Sequence, residues 1–262
     1  MAFGGRLKNR INYFTYLNKY KNKLDIDIAI QIETLRWDDT NSDPESVLNL
    51  LDEYVNQRDF SILDQISSLF ELDNTIGIEK IALYLDNSNQ LTSENKDIIK
   101  NAIEMAKYDV EYHRYLEKIQ TKKDIFAIVI DTEGRNNPSR SKVSSIIGSC
   151  QEKGYKCFLS NPCFDFYLLL HTYNPTKEYI ENSDLFVNNP IISKRNTYLS
   201  KLLSAHHHHR KKISEKKFLE IYLDNIPTAL DNSKDWANTL EDVKDNVGTN
   251  MKDLFELLNN NM

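Results

Sequence analysis

The chain has 262 residues, which is enough for one large domain or two small ones with a sizeable buried core. Its net charge of −6 argues against a protein that coats nucleic acid through its overall field, but leaves room for a local basic patch or an acidic metal site. The N-terminus lacks the apolar stretch of a signal peptide, and no apolar run approaches the ~20 residues that span a bilayer. With three cysteines and no Cys-x-x-Cys pair, a cytoplasmic protein without membrane segments is expected.

Residues 1–44 predict the first part of an α/β core. The stretch "NRINYFTYLNKY" reads as a helix, and "LDIDIAIQIE" (Leu24–Glu33) alternates apolar and polar residues, as a strand with one buried face does. Asp43 is a candidate helix cap and Pro44 suits the first position of a helix. A further helix is therefore expected to begin there.

Residues 45–120 predict a helical insertion. Apolar residues from Ile99 to Val110 recur at helical spacing. His113 extends that stripe, so we interpret it as a core or boundary histidine rather than a functional one. The segment contains no recognisable site, and a scaffold or partner-contact role is expected.

Residues 121–175 predict an α/β core with parallel strands. The run "DIFAIVID" (Asp124–Asp131) is almost continuously apolar, as in strands that helices cover on both faces. A helix ending near Gly154, the short strand "YKCFLS" and the segment "SNPCFDFYLLLH" (Ser160–His171) follow. This β-α-β-α order predicts a parallel sheet with a right-handed crossover. Residues 176–262 read as helices with polar joints.

The opening of "SNPCFDFYLLLH" predicts the start of a helix. Asn161 or Ser160 can accept a hydrogen bond from a free amide of the first turn, and Pro162 suits the first helical position. A helix start requires nothing more, so this stretch alone does not establish a function. His171 lies six residues after Asp165, on a different face, and is interpreted as a helix-end residue or a supporting donor rather than a catalytic base.

Acidic side chains follow the first of these strands in "DTEGR" (Asp131–Arg135). In a parallel sheet both loops leave the same carboxyl edge, where open α/β sheets bind ligands. We therefore expect Asp131, Glu133, Asn161 and Asp165 to meet there. Two acids at i and i+2 suit Mg²⁺, although a solvated turn is the alternative. Asp165 lies within an apolar run and should have a partner, such as a metal ion or a hydrogen-bonded loop.

Basic residues in two regions are candidates for phosphate contact. The first set lies beside the acidic loop and could neutralise a phosphate held on a metal ion. The second lies in "HHHHRKKISEKK" (His206–Lys217), which is either a solvated helix start or a patch that positions nucleic acid without reading its sequence. Four adjacent histidines point around a helix, so a metal site is not expected there. The candidate contacts to nucleic acid or phosphate are Arg135, Arg140, Lys142, Asn161, Lys211 and Lys212.

These motifs resemble the RloB-like family. "AIVIDTEG" followed by "SNPCFDFYLLLH" is similar to that family's apolar strand with an acidic D-x-D-type motif and its S-N-P-C-F-E block. "NVGTNMKDLFELL" resembles its closing N-P-x-T-N-V motif, and the similarity covers roughly residues 120–262. The resemblance implies a small, mainly parallel Toprim-like sheet flanked by helices, with a helical insertion and a helical C-terminal part.

The resemblance also implies a function. Proteins of this kind are similar to the abortive-infection protein AbiLii, which is accompanied by an ATPase of the AbiLi (RloA) type. It implies an antiphage effector: a Mg²⁺- or Mn²⁺-dependent endonuclease acting on DNA or RNA and controlled by that ATPase. Carried over to this sequence, Asp131 and Glu133 hold the metal and Asp165 is a further ligand or base. The metal would polarise the scissile phosphate and activate water.

The sequence departs from the Toprim pattern in two places. A Toprim site also uses a Glu after the first strand, in an E-G-x-x-T-E-x-x-Y-F pattern. Here "GGRLKNRINYF" keeps only the Tyr13–Phe14 end; the strand and the Glu are missing, and Arg10 stands where an acid is expected. Glu133 replaces an Asp, and its extra methylene moves its oxygens. The alternative function is therefore a catalytically degenerate binding or regulatory subunit of a defence ATPase complex.

Overall fold

The computed structural model shows an α/β protein with a small mixed sheet and many helices. The chain divides into two compact units: Met1–Leu51 together with Ile125–Met262, and Asp52–Asp124. The residues that the structure describes are 2–3, 7–24, 26, 32, 44–58, 78–85, 89–105, 125–193, 196–207 and 213–259.

The strands are β1 Ala2–Phe3, β2 Ala127–Asp131, β3 Lys156–Asn161, β4 Ile191–Ser193, β5 Asn196–Thr197 and β6 Gly248–Thr249. Four of them form one sheet in the order β1-β2-β3-β6, and β4 and β5 form a separate antiparallel pair. β1, β2 and β3 run parallel, whereas β6 runs antiparallel to β3. Every residue of β2 is buried, which explains its continuously apolar sequence.

Helices make up most of the described chain. The α-helices are α1 Leu7–Tyr20, α2 Pro44–Arg58, α3 Ile78–Leu85, α4 Ser93–Met105, α5 Val143–Lys153, α6 Phe164–Leu169, α7 Thr176–Asn188, α8 Tyr198–His207, α9 Glu215–Lys217, α10 Ile226–Asn232, α11 Leu240–Asp245 and α12 Met251–Asn259. Short 3-10 turns lie at Lys21–Leu24, Pro138–Lys142, Leu223–Asn225 and Ser233–Asp235, and a π-helical turn at Phe218–Tyr222. None of the helices in this described part has both the length and the apolar composition needed to cross a bilayer.

The predicted β-α-β-α order is confirmed by β2, α5, β3 and α6. Helix α5 ends at Gly154, whose φ of 72° lies in the left-handed region that glycine adopts without steric cost. Parallel pairing joins Asp131 at the end of β2 to Ser160 near the end of β3. The loops after the two strands therefore leave the same edge of the sheet.

Helix α6 is buried along its whole length, so it has no solvent-exposed face. The ring of Tyr13 on α1 meets the rings of Phe164 and Tyr167 edge-on, with centroids 5.7 and 5.8 Å apart. Burying a large apolar side chain contributes about 1.5–3 kcal/mol, so this packing fixes α1 firmly against α6. The second unit has a small apolar cluster of its own, formed by Ile81, Leu85, Leu91, Ile99 and Ile103.

Two expectations about the N-terminal region have different outcomes. The expected absence of an N-terminal strand is wrong, because Ala2–Phe3 pairs in parallel with β2; a two-residue strand is too short to show a sequence pattern. The predicted strand Leu24–Glu33 lies mostly outside the described residues, as do Asp43 and His113.

Helix α2 begins at Pro44, as predicted. All three cysteines are buried and none forms a disulfide bond, which agrees with the absence of a Cys-x-x-Cys pair.

Candidate functional site at the carboxyl edge of the sheet

Asp131, the last residue of β2, is only 3% exposed. Its Oδ1 accepts a hydrogen bond of 2.8 Å from the backbone N–H of Phe164, the first residue of α6. The carboxylate therefore caps the positive end of a helix that follows the neighbouring strand. The predicted cap is wrong: Ser160 and Asn161 still belong to β3, and the side chain of Cys163, the residue just before α6, makes no capping hydrogen bond.

Arg10 on α1 reaches the same carboxylate oxygen. Its Nη2 forms a buried ion pair with Oδ1 of Asp131, and its Nη1 donates to the backbone oxygen of Val129 at 3.0 Å. The guanidinium also lies over the ring of Phe164, 5.3 Å from the ring centroid. Arg10 is fully buried, so it provides an internal positive charge at the end of β2.

Two further acids interact with Asp131. Burial, together with the negative charges of Glu133 and Asp165, raises the pKa of Asp131 to about 7, although Arg10 and the N–H of Phe164 act to lower it. Asp165 is buried on α6, and Glu133 is half-buried in the loop after β2. The three acids lie near enough to interact, and with Arg10 we call them the acidic centre.

The backbone holds the two loops of this edge together. Glu133 has a φ of 63°, and its N–H donates to the backbone oxygen of Pro162 at 2.9 Å. The N–H of Thr132 donates to the backbone oxygen of Ser160 at 3.1 Å. These bonds keep the loop after β2 beside the start of α6.

Arg140 ties this edge to the C-terminal helices. Its Nη1 donates to the backbone oxygen of Glu133 at 3.0 Å and to Oδ1 of Asn161 at 3.4 Å, and its Nη2 donates to the backbone oxygen of Lys244 at 3.0 Å. The side-chain amide of Asn161 also donates to the backbone oxygen of Val243 at 2.8 Å. Both side chains are engaged in positioning the loops.

The remaining basic candidates are placed differently. Arg135 is exposed next to the acidic loop, and its backbone N–H donates to the oxygen of Val187. Lys142 is exposed and pairs through Nζ with Glu45 at 2.7 Å. Lys211 and Lys212 lie outside the described residues.

A second group of buried polar side chains lies on α1, on α6 and in the turn that follows α6. The hydroxyl of Tyr13 is 3.0 Å from that of Tyr167 and 3.1 Å from Nε2 of His171, and Nδ1 of His171 is 3.2 Å from two backbone oxygens of α6. Burial lowers the pKa of His171 to about 3, so the imidazole is neutral at pH 7. We call Tyr13, Tyr167 and His171 the tyrosine–histidine cluster.

The C-terminal motif "NVGTNMKDLFELL" has a structural role that was not predicted from the sequence. The side-chain oxygen of Asn250 accepts from the backbone N–H of Leu159 at 2.6 Å, and its amide nitrogen donates to the oxygen of Cys157 at 3.2 Å. This side chain continues the pairing along β3 beyond β6. A Cβ on Gly248 would lie 1.9 Å from the backbone oxygen of Ala237, so glycine is required there. The available signal was the motif "GTN" itself.

The sequence model of the RloB-like protein family matches residues 10–258. The chain belongs to the RloB-like family. The match extends well beyond residues 120–262, where the motifs had suggested it, and it includes Arg10. No curated protein and no solved structure matches this RloB-like chain.

In this RloB-like chain, the acidic centre as described does not fit a bound Mg²⁺ or Mn²⁺. Among the described residues, no group of three or more His, Cys, Asp or Glu side chains is arranged to hold a metal ion. Oδ1 of Asp131 already accepts from the guanidinium of Arg10 and from the N–H of Phe164. A divalent ion at this oxygen would meet the positive charge of Arg10 at close range.

Proposed function

We propose that this RloB-like chain is a binding or regulatory subunit of a phage-defence complex, and that its partner is an ATPase of the AbiLi (RloA) type. The observation that carries the proposal is the buried ion pair between Arg10 and Asp131. Asp131 is the acid that a Toprim-like nuclease would use to hold its metal ion. Here the same carboxylate has a structural task.

The sheet supports a degenerate Toprim-like site. Parallel strands β1, β2 and β3 carry an acid at the carboxyl edge of β2, which is where such a site would lie. The Toprim glutamate is missing from the N-terminal segment, and Arg10 stands where a further acid is expected. A site that has lost one acid and gained a buried cation favours binding over metal-assisted hydrolysis.

The energy cost of separating buried charges favours an ion pair between Arg10 and Asp131 that stays formed. Taking either charge out of water is costly, and removing one partner of a buried pair leaves the other uncompensated. Arg10 also donates to Val129 and packs on Phe164, so its release from Asp131 would break three contacts together. The guanidinium is therefore part of the folded core, with little freedom to leave it.

The partner is proposed from the family resemblance and has a direct test. The chain and the ATPase encoded in a neighbouring reading frame are expressed together, one of them tagged, and purified. A stable complex, with no cleavage of DNA or RNA by the purified chain in Mg²⁺ or Mn²⁺, is expected. Metal-dependent cleavage by the isolated chain that disappears in Asp131→Asn would contradict the proposal.

A second candidate, a metal-dependent endonuclease, is favoured by one observation. Glu133 and Asp165 both act electrostatically on Asp131, so three acids do gather at one edge of the sheet. This function requires Arg10 to leave Asp131 when the ATPase or the substrate binds. Cleavage by the ATPase complex, present in the wild type and absent in Glu133→Gln, would favour it over the first.

A further inference from the structure

The isoleucine arm, which consists of strands β4 and β5, exposes apolar side chains on both of its faces. Ile191 and Ile192 are 72% and 42% exposed, and successive side chains of a strand point to opposite faces. A single exposed apolar side chain is ordinary, whereas two adjacent ones on a short hairpin offer a surface that a partner can cover. We infer that the partner is a second copy of this chain, and that the isoleucine arm of each copy docks on helix α7 of the other, at Ile180. This inference goes beyond the proposed function and does not depend on it.

The isoleucine arm is held firmly at its base. Asn189, directly after α7, donates through its side-chain nitrogen to Sγ of Cys163 at 3.3 Å and accepts through Oδ1 from the backbone N–H of Leu199 at 3.0 Å. The backbone N–H of Tyr198 donates to the backbone oxygen of Pro190 at 3.0 Å. A surface that is fixed before binding loses less conformational entropy in the complex, so the arm is suited to docking.

The segment that contains the isoleucine arm is basic, although the chain is acidic. Residues 185–214 include six Lys or Arg and no Asp or Glu, and the whole chain has a net charge of −6, so the remainder of the chain carries a net charge of −12. Lys201 on α8 is an exposed member of this basic segment, whereas Lys194 and Arg195, which join the two strands, lie outside the described residues. Opposite charges attract the basic segment of one copy to the acidic remainder of another.

Helix α7 has both of the properties that the docking surface needs. Ile180 is 77% exposed, more than any other large apolar side chain in the part of the chain that the structure describes. Glu181 and Asp184 on the same helix are exposed as well. An apolar side chain among carboxylates complements apolar side chains in a basic segment, both in the area that is removed from water and in charge.

Reciprocal docking produces a closed dimer. The isoleucine arm and α7 are different surfaces of one chain, and a twofold axis brings the arm of each copy to α7 of the other, so that both contacts form together. Pairing of one arm with the other arm would instead bring two basic segments together, which charge repulsion disfavours. The arrangement of arm on α7 is therefore the one that the charges favour.

Sedimentation velocity over a wide range of protein concentrations measures the association of the full chain. We expect the wild type to form a dimer, and Ile191→Ser and Ile180→Ser each to weaken it by about tenfold or more, because each variant loses one side of both contacts. All of these side chains are exposed, so the variants should fold like the wild type. Ile125→Ser is the matched control: Ile125 is 41% exposed but belongs to neither surface, so this substitution should leave the dimer unchanged.

A mixture of the two variants tests the reciprocal arrangement. The arm of the Ile180→Ser chain and α7 of the Ile191→Ser chain are both intact, so a mixed dimer keeps one of the two contacts. We expect the mixture to associate more tightly than either variant alone. Equal association in the mixture and in the separate variants would overturn the arrangement of arm on α7.

Salt and other partners complete the test. High salt should weaken the wild-type dimer, because it screens exposed charges, and a dimer that salt does not weaken would overturn the charge match. A wild-type chain that stays monomeric would overturn the inference, as would a dimer that neither Ile191→Ser nor Ile180→Ser weakens. If the monomeric chain binds the tagged ATPase or a duplex DNA probe instead, and Ile191→Ser abolishes that binding, the isoleucine arm serves that partner and not a second copy.

Discussion

The acidic centre and the tyrosine–histidine cluster both join α1 to α6 but bury polar atoms in opposite ways. Arg10 and Tyr13 are three residues apart on α1; Arg10 contacts the end of β2, and Tyr13 contacts α6. The acidic centre buries ionisable groups and pairs the carboxyl group of Asp131 with the guanidinium of Arg10. The cluster keeps neutral groups inside, because burial holds His171 uncharged and each hydroxyl has a partner.

This difference between charged and neutral buried groups determines how much stability a substitution costs in each region. Removing one partner of a buried, neutral hydrogen bond lowers the free energy of unfolding by about 1–3 kcal/mol, because a single polar atom is left without a bond. Removing one partner of a buried ion pair lowers it by about 3–5 kcal/mol, because a full charge is left behind. Three substitutions and a pH titration, each with its control, test this contrast.

The largest effect is expected from Asp131→Ala. It leaves the charge of Arg10 buried without its partner and removes the cap of α6, so the free energy of unfolding should fall by about 3–5 kcal/mol. Urea denaturation followed by circular dichroism measures this change. Asp131→Asn keeps an acceptor oxygen and should lose less. A change below about 1 kcal/mol in Asp131→Ala would place the pair among the weak surface interactions.

Acidification should destabilise the protein through His171. Its pKa is about 3 in the folded state and 6.5 when unperturbed, so between these values the unfolded chain binds more protons. Stability is therefore fully present above pH 6.5 and falls by about 1.4 kcal/mol per pH unit as the pH drops toward 3. The urea midpoints of the wild type and of His171→Gln, measured at several pH values, isolate the contribution of His171. Parallel pH profiles for the two proteins would contradict the neutral, buried histidine.

Within the cluster, Tyr13→Phe removes the hydroxyl that joins Tyr167 to His171 and leaves the ring in place. We expect a loss of about 1–3 kcal/mol in the free energy of unfolding. Tyr16→Phe is the matched control, because Tyr16 is only partly buried on the same helix. Equal effects in the two variants would show that the buried hydrogen bonds do not distinguish Tyr13.

The smallest effect is expected at an exposed ion pair. Lys142 and Glu45 lie 2.7 Å apart with about half of each side chain exposed, so Lys142→Ala should cost about 0–1 kcal/mol. A double-mutant cycle with Glu45→Ala, repeated at high salt, measures the coupling energy. If this coupling equals that of Arg10 with Asp131, burial does not set the strength of the pairs.

The sequence allowed the prediction of the β2-α5-β3-α6 order, because an apolar buried strand, a glycine helix end and a second strand each leave a local pattern. It also placed the acids after β2 and the start of α6 at one edge, since parallel strands bring their carboxyl ends together.

The partners within that edge were not predictable. Arg10 and Asp131 are separated by 121 residues, and no local pattern connects a helix arginine to a strand end. The same limit applies to the cap of α6. Asn161 is the common residue type before a helix, but its amide is used by Val243 and Arg140, and Asp131 provides the cap instead. Long-range hydrogen bonds such as those of Asn250 with β3 depend on the folded chain and leave only a short motif in the sequence.

A crystal structure grown in MnCl₂, with anomalous diffraction to locate manganese, would show whether Arg10 is the cation of the acidic centre. We expect the guanidinium of Arg10 in contact with Asp131 and no manganese peak at that carboxylate. A manganese ion bound to Asp131, with Arg10 displaced, would contradict it.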